Sequence, residues 1–298
     1  MFQQQPWRGL ELVDIADCDI AILGIPFDGA VSASRGAAAA PERIRVLSGM
    51  VPPFAEERID LRQLKIADRG NISLTQHWER LFDDVGIQAT QMLREDCFSL
   101  FLGGDHSATI PLVKAFAARY APAPVGIIHF DSHCDLMNEY DGHHWSHACI
   151  QRRSLEQKNI AAEHLTLVGI RSYEAEEAAF LQDNPAINVI GARQLYHQGH
   201  SKTVEQICSS MAQVSAIYFS LDIDVLDPAF APGTGTPEGG GLSTRDLLEL
   251  SGALLSCLPI KAMDIVEVSP PLDHADITSW AAVKIIYELF GKLAQKKA

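Results

Sequence analysis

Three short stretches of this chain carry carboxylates and imidazoles at intervals suited to holding metal ions. The first is Asp131, His133 and Asp135, which closes the apolar run VGIIHF. If the backbone there stays extended, a period of two points all three side chains the same way. The second is Asp222 and Asp224, spaced by two after AIYFSL, and the third is His106, after CFSLFL and the pair Gly103–Gly104. Taken singly, each has an ordinary reading. Aspartate at a strand end is a common turn former or helix cap, and a lone histidine there is more often structural. Together they make two imidazoles and four carboxylates. Gathered in one place without cations, such groups repel one another and desolvate badly. Two divalent ions would match the four negative charges. Oxygen-dominated ligation with one histidine per ion favours Mn2+ over Zn2+, and paired metals make water a nucleophile at neutral pH. Cys134, between His133 and Asp135, should point away.

Bringing these groups together requires strands that end at one edge. The runs at 19–27, 97–102, 125–135, 164–169, 187–190, 216–221 and 259–268 are apolar and short, so they read as strands, and a further short one fits 65–68. The last long run carries Glu267. Helical spacing recurs between them, most clearly in Leu81, Phe82, Val85, Ala89, Met92 and Leu93. Further helices fit 41–49, the segment reaching Phe116, 242–254 and 276–293. Pro41 suits a first helical turn. Gly103 and Gly104 allow a tight turn with positive φ, after which Asp105 or Ser107 can cap a helix. Strands alternating with helices predict a three-layer α/β/α sandwich around a mainly parallel sheet. Ligands bind such sheets beyond the carboxyl ends of the strands. No linker, repeat or low-complexity tract interrupts the pattern, so 1–298 reads as a single domain.

The chain has 298 residues, 47% of them hydrophobic, and a formal net charge of −14. That acidity argues against nucleic acid as a partner and mildly suits cationic small molecules. No apolar run approaches the roughly 18 residues of a membrane span. The opening residues lack the basic-then-apolar order of a secretory signal. Six cysteines, none in a CxxC pair, suggest reduced thiols and a cytoplasmic setting. Nucleotide motifs fail: Gly233–Thr234–Gly235 lacks a third glycine, and the 199–203 segment lacks the order of a phosphate loop. There is no G-x-S-x-G elbow.

The motifs at 24–28 (GIPFD), 103–107 (GGDHS), 131–135 (DSHCD), 220–241 (SLDIDVLDPAFAPGTGTPEGGG) and 264–273 (DIVEVSPPLD) resemble the ureohydrolases, the family of arginase, agmatinase and their relatives. The resemblance covers nearly the whole chain. It implies an arginase-like α/β/α fold and two Mn2+ per subunit, held by His106, Asp131, His133, Asp135, Asp222 and Asp224. It also implies that His147, matching the histidine of Y-S-H-G, is catalytic, that Glu267 of E-V-x-P holds a guanidinium, and that Asp135 relays a proton to the leaving amine. The implied reaction turns a guanidino compound into urea and an amine, with agmatine giving putrescine, a polyamine-forming step, as the leading expectation. The retained PGTGTPE is an agmatinase-like feature that formimidoylglutamases usually lack.

Guanidinobutyrate, guanidinopropionate, guanidine and arginine stay open as alternative substrates. A two-metal phosphoesterase would want Lys or Arg beside these motifs, and a purely structural metal clip would leave His147 and Glu267 without a task. The family also implies a homo-oligomer, a trimer or hexamer. Four departures stand out. Ser132 replaces a usual Ala and is expected to be harmless. Ala148 replaces the glycine after the loop histidine, and Ala38 and Ala40 stand where Arg and Gly are common. For the substrate's tail, Glu139 and Asp141 suit an ammonium group, whereas Arg152 and Arg153 suit an acid.

Overall fold

Nine strands and eight α-helices are present among the described residues of the computed structural model, 5–73 and 77–297. In chain order they are β1 (Glu11–Leu12), β2 (Ile20–Gly24), α1 (Ala40–Ser48), β3 (Lys65–Asn71), α2 (Trp78–Met92), β4 (Phe98–Leu102), α3 (Thr109–Tyr120), β5 (Val125–Phe130) and α4 (Ile150–Ser154). There follow β6 (Leu165–Ile170), α5 (Ala175–Asp183), β7 (Asn188–Gly191), α6 (Ala192–Ser210), β8 (Ala216–Asp222), α7 (Thr244–Cys257), β9 (Ile260–Val266) and α8 (Ile277–Lys297). All nine strands join one sheet in the order β1-β3-β2-β4-β9-β8-β5-β6-β7, and every pairing is parallel. The expected α/β/α sandwich is therefore the observed one.

The apolar runs form strands buried on both faces because helices cover both. Alternate residues enter different cores: Ile20, Ile22, Leu100, Leu102, Ile128 and Phe130 face α1, α6, α7 and α8. Ala21, Leu23, Phe101, Val125 and Ile127 face α2 and α3. Helix ends follow local chemistry. Pro41 lies in the first turn of α1, and Ser243 and Asp246 form a capping box at the start of α7. No helix among the described residues is long and apolar enough to cross a membrane.

Three expectations need correction. The run at 125–135 is a strand only to Phe130, so Asp131, His133 and Asp135 do not share a direction by pleating. The run at 259–268 likewise ends at Val266, and Glu267 follows with φ 60°. Gly103 and Gly104 are also needed for a different reason than positive φ, which neither adopts. A Cβ on Gly104 would stand 1.9 Å from the Phe27 carbonyl oxygen, so close backbone approach requires glycine there.

All six cysteines are free. Tertiary packing nevertheless sets four of them in two pairs that the sequence spacing hides. Cys18 Sγ lies 3.1 Å from Cys97 Sγ, and Cys208 Sγ lies 2.8 Å from Cys257 Sγ.

Candidate metal centre

The site groups come from four strands that are consecutive in the sheet, β4, β9, β8 and β5. Their carboxyl ends therefore lie side by side, the usual position for a ligand in a parallel sheet. One local device recurs at three of the four ends. The Asp105 side chain accepts from the Ser107 backbone N–H at 3.0 Å, Asp131 from His133 at 2.6 Å and Asp222 from Asp224 at 2.8 Å. Each aspartate spends one carboxylate oxygen closing the turn. For Asp131 and Asp222, the second oxygen is left to point elsewhere. The turn-former reading and the ligand reading of these aspartates are thus both correct.

Two cages result. In the first, His106 Nδ1 lies 3.1 Å from Asp131 Oδ2, 3.2 Å from Asp135 Oδ2 and 3.1 Å from Asp222 Oδ2. In the second, His133 Nδ1 lies 3.3 Å from Asp131 Oδ1 and 3.2 Å from Asp224 Oδ2. Asp131 gives one oxygen to each and so bridges them. Asp135 reaches the first cage from a left-handed backbone, φ 53°, whereas His133 turns to the second. All six residues are brought together, and every one is buried except half-buried His133. Buried Cys134 packs into an apolar core, away from the cages.

These residues fit cations. His106 Nδ1 and Asp131 Oδ2 are buried and make no hydrogen bond, a state rare for polar atoms unless something else meets them. The His106 tautomer agrees. The Ser220 hydroxyl donates to Asp264 Oδ1 at 2.8 Å, so its oxygen accepts from His106 Nε2 at 2.9 Å, leaving the Nδ1 lone pair aimed into the cage. Asp264 is itself held by Thr109 and Tyr218 hydroxyls, each at 2.7 Å. Protonation shifts tell the same story. Burial, then the neighbouring carboxylates Asp224 and Asp131, pushes Asp222 well above its usual range; burial and Asp131 raise Asp224. Burial opposes charge on His133, yet Asp131 and Asp224 push it up to about 12. Buried carboxylates this close raise the pKa of Asp222 and Asp224, and a cation among them would relieve it.

Beside the cages lies a narrow cleft lined by Val31, Ser32, Ser34, His147, Thr236 and Glu267. Buried Glu267 accepts from the His106 N–H at 2.8 Å, and burial, then Asp105, raises its pKa well above the usual range. His147 Nδ1 meets the Ala30 carbonyl oxygen in a very short contact. A carbonyl can only accept, so Nδ1 carries the proton and Nε2 keeps a lone pair. His143 and His144 do not line this cleft, and His144 Nδ1 lies 2.9 Å from the exposed Asn138 carbonyl. Tyr140 sets its ring edge against His147, with centroids 5.4 Å apart. Tyr140 and His143 pair across a tight turn whose tip, Asp141–Gly142, has φ 51° and 79°.

Several residues here escaped the reading of the sequence. His129 on β5 is wholly buried beside the first cage, and its one signal is a histidine inside an otherwise apolar strand. Ser132, expected to be harmless, donates its hydroxyl to Asp224 Oδ1 at 2.8 Å. Arg171 donates to the Asp224 and Glu238 carbonyls, each at 2.7 Å, and so ties down the loop after β8. Arg152 stacks on the Phe180 ring at 3.8 Å, and Arg153 bonds Asn138 Oδ1 at 2.9 Å and Glu156 at 3.0 Å.

Known proteins are similar to this chain over almost its whole length. The sequence model of the arginase family matches residues 18–291. An agmatinase from Bacillus cereus is 34% identical, over 91% of this chain and 90% of its own. A guanidinobutyrase from Pseudomonas aeruginosa is 30% identical over 91% and 85%. The crystal structure of proclavaminate amidinohydrolase from Streptomyces clavuligerus superposes with a TM-score of 0.88, at 31% identity, covering 98% of each chain.

Proposed function

This chain belongs to the arginase family and is a hydrolase of linear amidines; we propose that it is a binuclear manganese enzyme that converts agmatine to urea and putrescine. The observation that carries the reading is the pair of cages sharing Asp131. His106, Asp131, Asp135 and Asp222 would hold one ion, and His133, Asp131 and Asp224 the other. When bound, two such ions supply Lewis acidity and a nucleophilic water at neutral pH. The chain's own groups do the rest. Glu267, buried at the cleft floor, meets the guanidinium, since a buried cation needs a carboxylate partner. Burial, then Asp105, raises its pKa, and a cation beside it would offset both. His147, with Nδ1 tied to Ala30, presents Nε2 to the cleft as an acceptor for a substrate proton. Water adds at the guanidinium carbon and gives up a proton to Asp135; the bond from that carbon to the substituted nitrogen then breaks, Asp135 passes that proton to the departing amine, and the carbon leaves as urea.

Charge supports an ammonium-tailed substrate. Arg152 and Arg153, the groups best suited to an acidic tail, are engaged by Phe180, Asn138 and Glu156. Exposed Glu139 precedes, and exposed Asp141 tips, the turn whose Tyr140 packs on His147. We expect kcat/KM for agmatine to exceed that for guanidinobutyrate and for arginine by at least about tenfold, roughly 1.4 kcal/mol of transition-state discrimination. Parallel urea assays at matched ionic strength decide it. A preference for the guanidino acid would remove agmatine and leave the reaction class standing.

Ser132 offers a finer test. Its hydroxyl braces Asp224, so Ser132→Ala should weaken manganese binding at the second cage by up to about tenfold while the first is unchanged. Identical manganese titrations for variant and parent would show the hydroxyl to be idle. The single sheet joining both ends of the chain supports one catalytic domain. The free thiols suit a cytoplasmic enzyme, and exposed Ile87, Tyr196 and Phe230 suit a homo-oligomer, trimeric or hexameric by family resemblance.

A further inference from the structure

His129 takes no part in the proposed chemistry, yet it lies fully buried beside the first cage. Its ring stacks on His106, centroids 5.1 Å and planes 20° apart. Distance alone would group it with His106, Asp131 and Asp135 as a metal ligand. The hydrogen-bond partners argue otherwise. Nε2 lies 3.2 Å from the His133 carbonyl oxygen and 3.1 Å from Asp131 Oδ2. A carbonyl oxygen only accepts, so Nε2 carries its proton and has no lone pair for a metal. In the neutral ring Nδ1 must then accept. It lies 3.0 Å from Gln151 Nε2, on α4, so the buried Gln151 amide presents its NH2 group. The opposite amide orientation would set Oε1 against the Nδ1 lone pair. In the orientation that donates to Nδ1, Gln151 Oε1 is buried without a hydrogen-bond partner.

We propose that His129, its tautomer fixed by Gln151, is a positioning residue whose Nε2–H holds the His133 carbonyl, and with it the 131–133 turn that sets Asp131 Oδ2 between the cages, in place. Asp131 can then bridge both cages. The role rests on the two-metal reading above, but its test reads metal binding, independently of substrate. Three variants of the full chain are compared with the parent by equilibrium dialysis against Mn2+, alongside the unfolding temperature of the metal-free form. His129→Phe keeps the buried ring and deletes both nitrogens; it should bind manganese at the first cage at least about tenfold more weakly. His129→Gln returns an N–H near the Nε2 position and should recover to within about threefold of the parent. Gln151→Leu, more distant from the cages, frees the tautomer and should weaken binding by about threefold or more, which keeps a readout if His129→Phe does not fold. Parent-like affinity in His129→Phe or in Gln151→Leu overturns the proposal. So does a His129→Gln variant no better than His129→Phe, the result expected if shape or direct ligation were the role. A parent chain that takes up no manganese would sink the metal centre itself, visibly and before any substitution is compared.

Discussion

Asp131→Ala should empty both cages at once and lower turnover by about 10³-fold or more, because hydrolysis at neutral pH depends on metal-activated water. The expectation follows from one carboxylate serving two centres, Oδ2 facing His106 at 3.1 Å and Oδ1 facing His133 at 3.3 Å. Asp224→Ala removes an oxygen from the second cage alone. It should cost one manganese per chain rather than two, with a comparable loss of activity if both ions are needed. Each truncation leaves a divalent ion under-ligated, so metal content and turnover should fall together. The metal-free Asp131→Ala protein should keep its fold, because Asp131 is one of the charges that strains Asp222 and Asp224 when no cation is bound. Metal analysis, urea release and the unfolding of the metal-free chain give three separate readouts. Full activity after complete chelation, or two manganese ions retained by Asp131→Ala, would end the binuclear reading.

His147→Asn should slow turnover by about 10²-fold or more, the usual consequence of losing a positioned acid–base group. Asparagine can still donate from its amide to the Ala30 carbonyl, as Nδ1 does now. It cannot offer the basic nitrogen that Nε2 offers to the cleft. The local contacts should therefore survive while the proton chemistry does not. His143→Asn and His144→Asn are the controls, since neither side chain lines the cleft. Their kcat values should stay within about threefold of the parent, the scale of a substitution that leaves acid–base groups in place. Equal losses at all three positions would mean that the loop has collapsed as a unit, and His147 would lose its assigned role.

The sequence by itself determined most of the strands, the layers and the six residues that make up the candidate ligand set. Runs such as IAILG and VGIIHF are apolar at every pleat position because helices cover both faces of the sheet, and that pattern is local. The six ligand-type residues were legible because like charges crowded at strand ends make sense only around cations. What the sequence misjudged was the geometry just past each strand end. Asp131 closes a turn onto His133, so the three groups part between two cages instead of lining up along a strand. A side chain captured by its own backbone two residues on overrides the pleat, and spacing cannot report it. The tertiary structure alone decided the rest. It placed buried His129 between Asp131 and Gln151, gave Ser132 a carboxylate to brace, paired cysteines 49 or 79 residues apart, and drew Arg152 onto Phe180. Each of these depends on two segments distant in sequence meeting in space, and a histidine, serine or arginine takes its role from the atoms it meets there.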